Sequence, residues 1–449
     1  MSEEAQENQE LIQPFPLHRP RFELAPLVTT AEHFESAINE LNQGSGPLAV
    51  DAERASGYRY FANAYLFQFY RRGSRIFLLD PITLVDEKRL ITRFNELLGD
   101  QEWIIHASTQ DLPCIREFGF SPRHLFDTEL GARLAGLPRV GLGPLTEQLL
   151  SLSLAKEHSA VDWSIRPLHR EWKNYAALDV DVLPDLRDAV VAILESQGKM
   201  ELAMEEFQSI LKAKEPEPRR DPWRRTSGIH HVKGRRGLAI VRELWNERDR
   251  IARERDLAAG RLFPDFAISD LATASRDLSQ EEFIARAQEI FHGSQHFQRH
   301  YRKFKKEFFG QWSGAIARAL SLPEEKLPPM RATSDALPPV KIWKERAPLA
   351  YARLTHARFN LQEVSAELLI PLENLISPEI VRRIAWMSER QSFTTDSLQE
   401  SLLQLGARPW QIERSLDAIL RSLSESEPRV VPENASKVVS EEEDSTSLA

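Results

Sequence analysis

Short apolar blocks separated by polar turns fill residues 21–200, and a helical period takes over beyond them. Residues 47–54 predict a first strand. Residues 62–71 are aromatic and apolar, and residues 75–79 follow after Arg72-Gly73-Ser74. Those spacings predict three antiparallel strands joined by short turns. Residues 86–98 have a helical period that closes near Gly99. Trp103-Ile104-Ile105-His106 predicts a short buried strand feeding a helix from about Ser108, and Leu125-Phe126 predicts another strand. Asp127-Thr128 reads as a helix cap before residues 129–134. Three strands followed by β-α alternation predict a mixed sheet with helices packed on it, an α/β domain over residues 21–211. Its last part, residues 144–211, is helical with an interruption around 161–167.

Residues 212–236 change character. They hold Pro216, Pro218, Pro222, Gly228 and Gly234, and nine Lys/Arg against three acids, which predicts a basic linker. No strand pattern follows. Residues 238–258, 269–274, 280–291 and 304–320 predict four helices in one small all-α domain, 237–322. A proline-rich stretch, 323–339, leads to a second small all-α domain, 340–423. There Leu368-Leu369-Ile370-Pro371 to Trp386 echoes Phe263-Pro264 to Leu271.

The 449 residues carry a formal net charge of −9. The acidic ends account for most of it: residues 1–20 have four acids and one Arg, and residues 424–449 seven acids and two bases. Both ends are poor in apolar residues and are expected to be disordered. The nearly neutral body between them is compatible with nucleic acid through local basic clusters. The one cysteine, Cys114, excludes an intrachain disulfide and a cysteine-ligated zinc cluster and fits a reducing cytoplasm. No signal peptide is visible, and no run approaches the roughly 18 apolar residues of a membrane span. A cytoplasmic protein with no membrane partner is expected.

Candidate chemistry begins at Leu48-Ala49-Val50-Asp51-Ala52-Glu53. A strand alternates its side chains with a period of two, so Asp51 and Glu53 point the same way. Two adjacent carboxylates are stable only if protonated, solvated or sharing a cation. This pair is a strand end with two solvated acids, or half of a metal site. Asp111 is the one acid near the carboxyl end of the apolar strand that ends at His106. Tyr175 and Asp179, in Asn174-Tyr175-Ala176-Ala177-Leu178-Asp179, share one helix face a turn apart, and Ala176 and Ala177 allow close packing on a sheet.

The order Asp-x-Glu, Asp, Tyr-x-x-x-Asp, over an interleaved β-α pattern, resembles the DEDD exonuclease superfamily in its tyrosine-bearing subclass, and within it the ribonuclease D family. Trp103-Ile104-Ile105-His106-Ala107 through Asp111-Leu112, Leu125-Phe126-Asp127-Thr128, and Asp162-Trp163-Ser164-Ile165-Arg166-Pro167-Leu168 resemble further motifs of that family. Val161 stands where a small or hydroxyl residue is more usual. The resemblance covers about residues 25–210. Residues 242–249 and 261–265 resemble the helicase-and-RNase-D C-terminal (HRDC) domain, and 340–423 more loosely a second, HRDC-like one.

The resemblance implies a ribonuclease H-like mixed sheet flanked by helices, followed by two small helical domains. It implies a 3′→5′ exoribonuclease using two divalent cations, Mg²⁺ or Mn²⁺. Asp51 would bridge both ions. Glu53 and Asp179 would complete the site of the water-activating ion, Asp111 would support the second, and Tyr175 would orient the attacking water. RNA is the implied partner: tRNA precursors and other structured RNAs with single-stranded 3′ ends, bound by a monomer. A 3′→5′ DNA exonuclease and a non-catalytic nucleic-acid-binding scaffold on the same fold are the rival readings. Candidate RNA contacts are Lys156 and His158 before Asp162, Arg224 and Arg225 beside Trp223, and Lys303 and Lys305 in a basic-aromatic cluster. Phe67, Phe69 and Tyr70 are weighed as stacking aromatics against a core role, and Arg166 and Trp163 are expected to hold local structure.

Overall fold

A computed structural model describes residues 13–155, 161–214, 217–274, 282, 285, 305–331 and 337–429, without the side chains of 274 and 305–309. The described strands are β1 (Phe15–Leu17), β2 (Ser45–Arg54), β3 (Ala64–Arg72), β4 (Phe77–Leu79), β5 (Glu102–Ile105), β6 (His124–Asp127) and β7 (Leu152–Leu154). Five of them form a mixed sheet in the order β4-β3-β2-β5-β6. β2, β3 and β4 are antiparallel neighbours, and β5 and β6 lie parallel to β2. Parallel strands need crossovers, and helices Lys88–Leu98 and Leu112–Phe118 provide them.

The two faces of the sheet have different tasks. On one, Phe67 and Phe69 of β3 and Trp103 of β5 meet Phe94, Phe118 and Phe120, with ring centroids 4.5 to 6.4 Å apart. Phe67, Phe69 and Tyr70 are 0, 1 and 2 % exposed, so all three are core rather than a stacking surface. The other face carries Ala49, Asp51 and Glu53 and is covered by helix Arg170–Asp181, whose Ala176, Ala177 and Val180 are fully buried. Small side chains there let the helix backbone approach the strand that bears the acids.

Arg166 holds its turn as expected. Its guanidinium donates to Asp80 Oδ2 (2.6 Å), Trp163 O (2.7 Å) and Tyr65 O (2.6 Å), while Trp163 is buried beneath it. At the N-terminus the structure corrects the sequence reading. Residues 15–17, placed in a disordered tail, form β1 parallel to β7, with Leu17 buried among Leu154, Leu178 and Val182. Three-residue strands next to Pro14, Pro16 and Pro20 have too little pattern to be read locally.

The first helical domain packs helix Gly234–Arg255 on helix Lys305–Ser321 around Leu244, Ile251, Phe263 and Trp312. Residues 222–236 of the basic stretch before it are structured rather than a free linker. Trp223 is buried in this core, and Arg235 and Arg236 donate to carbonyls of Leu327 and Leu322. This domain grips the loop that leaves β2. Asp256, left-handed at φ 47°, accepts the N–H groups of Tyr60 and Phe61, both at 3.1 Å, and Ala258 N–H donates to Tyr58 O at 3.0 Å. Tyr60 Oη donates to Asp249 at 2.9 Å.

The second helical domain, with helices Pro348–Leu368, Pro378–Met387, Thr395–Gln404 and Pro409–Ser422, shares one continuous apolar core with the mixed-sheet domain. Buried Glu206 accepts from Arg408 Nε and from Trp410 Nε1 (2.8 Å). The two helical domains repeat an order of elements. Each long helix ends at a left-handed residue, Asp256 or Leu369, followed by a four-residue helix and a ten-residue helix. The echo is displaced from the expected one: Phe263-Pro264 corresponds to Ile376-Ser377. The helix expected over 280–291 lies outside the described residues apart from Glu282 and Ala285.

Gly136, at φ 81°, carries the contact with Leu369. A methyl built there would lie 2.6 Å from Leu369 O and 2.9 Å from its Cβ. Gly73 has φ 88° with no atom within 4 Å of such a methyl. Gly136→Ala should therefore cost more than the ~1–2 kcal/mol of a left-handed alanine, whereas Gly73→Ala should cost only that. Thermal unfolding and limited proteolysis of the 340–423 region read the difference. Equal effects of the two variants would remove Gly136 from the docking contact.

Candidate active site

β2 carries Asp51 opposite Gln68, and Glu53 opposite Leu66, on its ladder with β3. Helix Arg170–Asp181 crosses that face and presents Tyr175 and Asp179 one turn apart. Asp111 arrives from β5. After Ile105 the chain turns through left-handed Ala107 (φ 55°) and a 3₁₀ turn, Ser108–Gln110, before Asp111 starts helix Leu112–Phe118. The Asp127 carboxylate at the end of β6 holds this turn. It accepts Ala107 N–H (3.2 Å), Ser108 N–H (2.7 Å) and Ser108 Oγ (2.6 Å), and it also caps its own helix through Glu129 and Leu130 N–H.

Asp51, Glu53 and Asp179 each offer a carboxylate oxygen, and these atoms all lie within 4.8 Å of one another. They sit at the base of a cleft of about 460 Å³ that Asp111 and Tyr175 also line. Residues 51, 53, 111, 175 and 179, dispersed in sequence, thus meet in one cleft.

Burial dominates the electrostatics. It pushes the Asp51 carboxyl up to about 6, against a backbone hydrogen bond and Arg54 that favour its charged form. Asp111 is pushed up to about 8 by burial and then by Asp51. Glu53 is held well above the carboxylate range by burial, then by Asp51, Asp179 and Asp111, and Asp179 by burial, then by Asp51 and Asp111. The Tyr175 phenol is also raised, by burial and then by Asp179. Such a cluster stays together only with protons or a cation. An all-oxygen donor set, three members of which can share one ion, fits a hard divalent cation such as Mg²⁺ or Mn²⁺.

Arg54 was not singled out in the sequence. It lines the cleft, with Nε 3.6 Å from Asp111 Oδ1. The available signal was its place next to Glu53 at the end of an otherwise apolar strand. His106, expected to be structural, also lines the cleft. Its Nδ1 is 2.9 Å from Thr128 Oγ1, and burial pushes the imidazole down, favouring the neutral form. The six candidate RNA contacts fare differently. Lys156, His158 and Lys303 lie outside the described residues, as does the side chain of Lys305. Arg224 is not in the cleft lining. It stacks over Trp223 and donates to Pro329 O at 2.8 Å. Arg225, exposed in the same turn, is likewise not in the lining.

Residues 26–195 match the family described as 3′-5′ exonuclease, and residues 237–283 match the HRDC domain. Residues 336–423, which include the 340–423 stretch read from sequence as HRDC-like, match the family described as 3′ to 5′ exonuclease C-terminal domain. Ribonuclease D of Escherichia coli is 29% identical over 237 residues, covering 52% of this chain and 61% of that protein. Ribonuclease D of Acidiphilium cryptum is 31% identical over 250 residues, covering 53% and 58%. The chain thus spans about three-fifths of the length of these curated relatives. Among solved structures, a protein from Bifidobacterium adolescentis is 37% identical with a TM-score of 0.81, covering 92% of this chain and 100% of that one. The crystal structure of E. coli RNase D, 22% identical with a TM-score of 0.60 over 91% of this chain and 100% of that one, shares the fold.

The raised carboxyls carry a consequence for stability. A group whose pKa is higher folded than unfolded contributes stability below its ordinary value and loses it as pH rises through the folded value. Without divalent cations, the melting temperature should fall from about pH 4 through the values near 6 and 8 at Asp51 and Asp111. Cations compete with those protons, so the rise in melting temperature on adding Mn²⁺ should be larger at pH 8 than at pH 5. Thermal shifts with EDTA or Mn²⁺ across that range test this. A Mn²⁺ effect independent of pH would contradict it.

Proposed function

We propose that this chain, which matches the 3′-5′ exonuclease and HRDC families and is similar to proteins named ribonuclease D, removes nucleotides from RNA 3′ ends using divalent cations held by Asp51, Glu53, Asp111 and Asp179. The observation that carries this reading is the carboxylate cluster of Asp51, Glu53 and Asp179 within a 3′-5′ exonuclease domain. Two ions, Mg²⁺ or Mn²⁺, are the proposed complement. Asp51 would serve both, Glu53 and Asp179 one, and Asp111 the other. When bound, such ions make water nucleophilic near neutral pH and neutralise charge on the leaving 3′-oxygen.

The chain's own groups do the positioning. The raised Tyr175 phenol stays protonated at neutral pH, so it orients the attacking water by hydrogen bonding and does not act as the base. Arg54 sets a positive charge on the cleft wall, where it can meet a phosphodiester oxygen once the acids are neutralised. A cleft of about 460 Å³ is large enough to admit a terminal nucleotide.

RNA is the favoured polymer because the relatives bear the name ribonuclease D, and the solved E. coli protein is described as an exoribonuclease involved in structured RNA processing. tRNA precursors and other structured RNAs with single-stranded 3′ ends are the substrates we propose, acted on by a monomer in the cytoplasm. No helix among the described residues is long and apolar enough to cross a membrane.

Digestion of a 5′-labelled RNA hairpin with a 3′ single-stranded tail should release mononucleotides with Mg²⁺ or Mn²⁺ and stall at the duplex. Asp51→Asn or Asp179→Asn should lower the rate by about 10³-fold with RNA affinity retained, and Tyr175→Phe by about 10²-fold. Undiminished trimming in both Asn variants would remove the metal assignment. Faster digestion of a matched DNA would replace RNA as substrate.

A further inference from the structure

Midway along β3 an amide side chain enters a closed wall, and unlike Arg71 farther along the strand it is left unpaired. Residues 64–71 are all buried, and Gln68 is 0 % exposed. Its Oε1 and Nε2 have no hydrogen-bond partner among the described residues. Buried amides without partners are uncommon, and each calls for a reason.

The ladder supplies one. Gln68 is the register partner of Asp51. Directly opposed residues on an antiparallel pair put their side chains on the same face as close neighbours. The adjacent positions, Phe67 and Phe69, point the other way into the aromatic cluster. The Gln68 amide therefore lies beside Asp51 on the face covered by helix Arg170–Asp181. A packing role alone would suit an apolar residue better.

We propose that Gln68 is a positioning residue for Asp51, its amide N–H donating to the carboxylate when that carboxylate holds divalent cations. The inference rests on the metal-binding reading of the acid cluster. A carboxylate serving two ions needs its plane and lone-pair directions held, and hydrogen-bonding partners behind the ligands do this. The amide is suited to the task because it is neutral. A Lys or Arg at this position would compete with the cations, and an acid would add to the repulsion among the four carboxylates. Arg54 reaches Asp111 from the cleft side, and Gln68 stands opposite Asp51 on the β2–β3 ladder.

The test uses the full chain with Gln68→Leu and, as an unbranched companion of equal length, Gln68→Met. Mn²⁺ binding is measured by calorimetry, alongside the metal-free melting temperature and kcat and KM on an RNA oligonucleotide. The expected result is a 10- to 100-fold weaker Mn²⁺ affinity. The metal-free melting temperature should be unchanged or higher, KM should be unchanged, and kcat should fall at limiting Mn²⁺ and recover at saturation. Wild-type Mn²⁺ affinity in a folded variant, with only the melting temperature altered, would overturn the proposal and leave Gln68 a packing residue. Asp51→Asn separates the two readings. If the unmodified chain binds Mn²⁺ no better than Asp51→Asn, the metal reading fails with it. If Asp51→Asn loses Mn²⁺ and the Gln68 variants do not, only the Gln68 role fails.

Discussion

Mutual repulsion among four carboxylates is the constraint around which the rest of the chain is arranged. Asp51 and Glu53 are kept side by side by strand alternation, and Asp179 is brought over them by a helix that can approach because Ala176 and Ala177 are small. Asp111 is aimed by a turn whose N–H groups are consumed by Asp127. None of these placements relieves the repulsion. They resist it, because the strand bearing the pair lies between an aromatic cluster on one face and a closely packed helix on the other. A site built this way would be pre-organised for the proposed divalent cations, with the free energy of assembly supplied by the core.

The helical domains extend that rigidity. The loop leaving β2 directly after Glu53 and Arg54 is tied to Asp249 and Asp256 of the first helical domain, and the second shares its apolar core with the mixed sheet. Individually, partly exposed hydrogen bonds of this kind contribute little. Their value lies in fixing where packed surfaces meet. Much of the basic charge that looked available for nucleic acid serves the fold instead. Arg236 satisfies carbonyls at the end of helix Lys305–Ser321, Arg235 satisfies Leu327 O in the segment that follows it, and Arg224 holds Trp223 and Pro329.

Much of this was legible from local pattern, because the relevant physics is local. β2 to β6, the helices between them, the Asp127 cap, and the shared face of Tyr175 and Asp179 all follow from periodicity and turn chemistry. The order of acids carried the family, which the matches to the exonuclease and HRDC families bear out. β1 and β7 escaped notice because a three-residue strand among prolines has no period to read, and its partner lies more than 130 residues away. Arg54 escaped because a basic residue beside an acid has no meaning until the cleft that both line is known.

The sequence by itself determined which residues could form a metal-binding constellation and which secondary elements would carry them, since side-chain direction follows from the periods of strands and helices. The tertiary structure alone decided the distances between those carboxylates and the burial that raises their pKa values. It also decided the pairing of Gln68 with Asp51, the docking of Leu369 on Gly136, and the commitment of the linker arginines to backbone carbonyls. Each of these depends on groups far apart in the chain meeting at a few ångströms, and no local period encodes that.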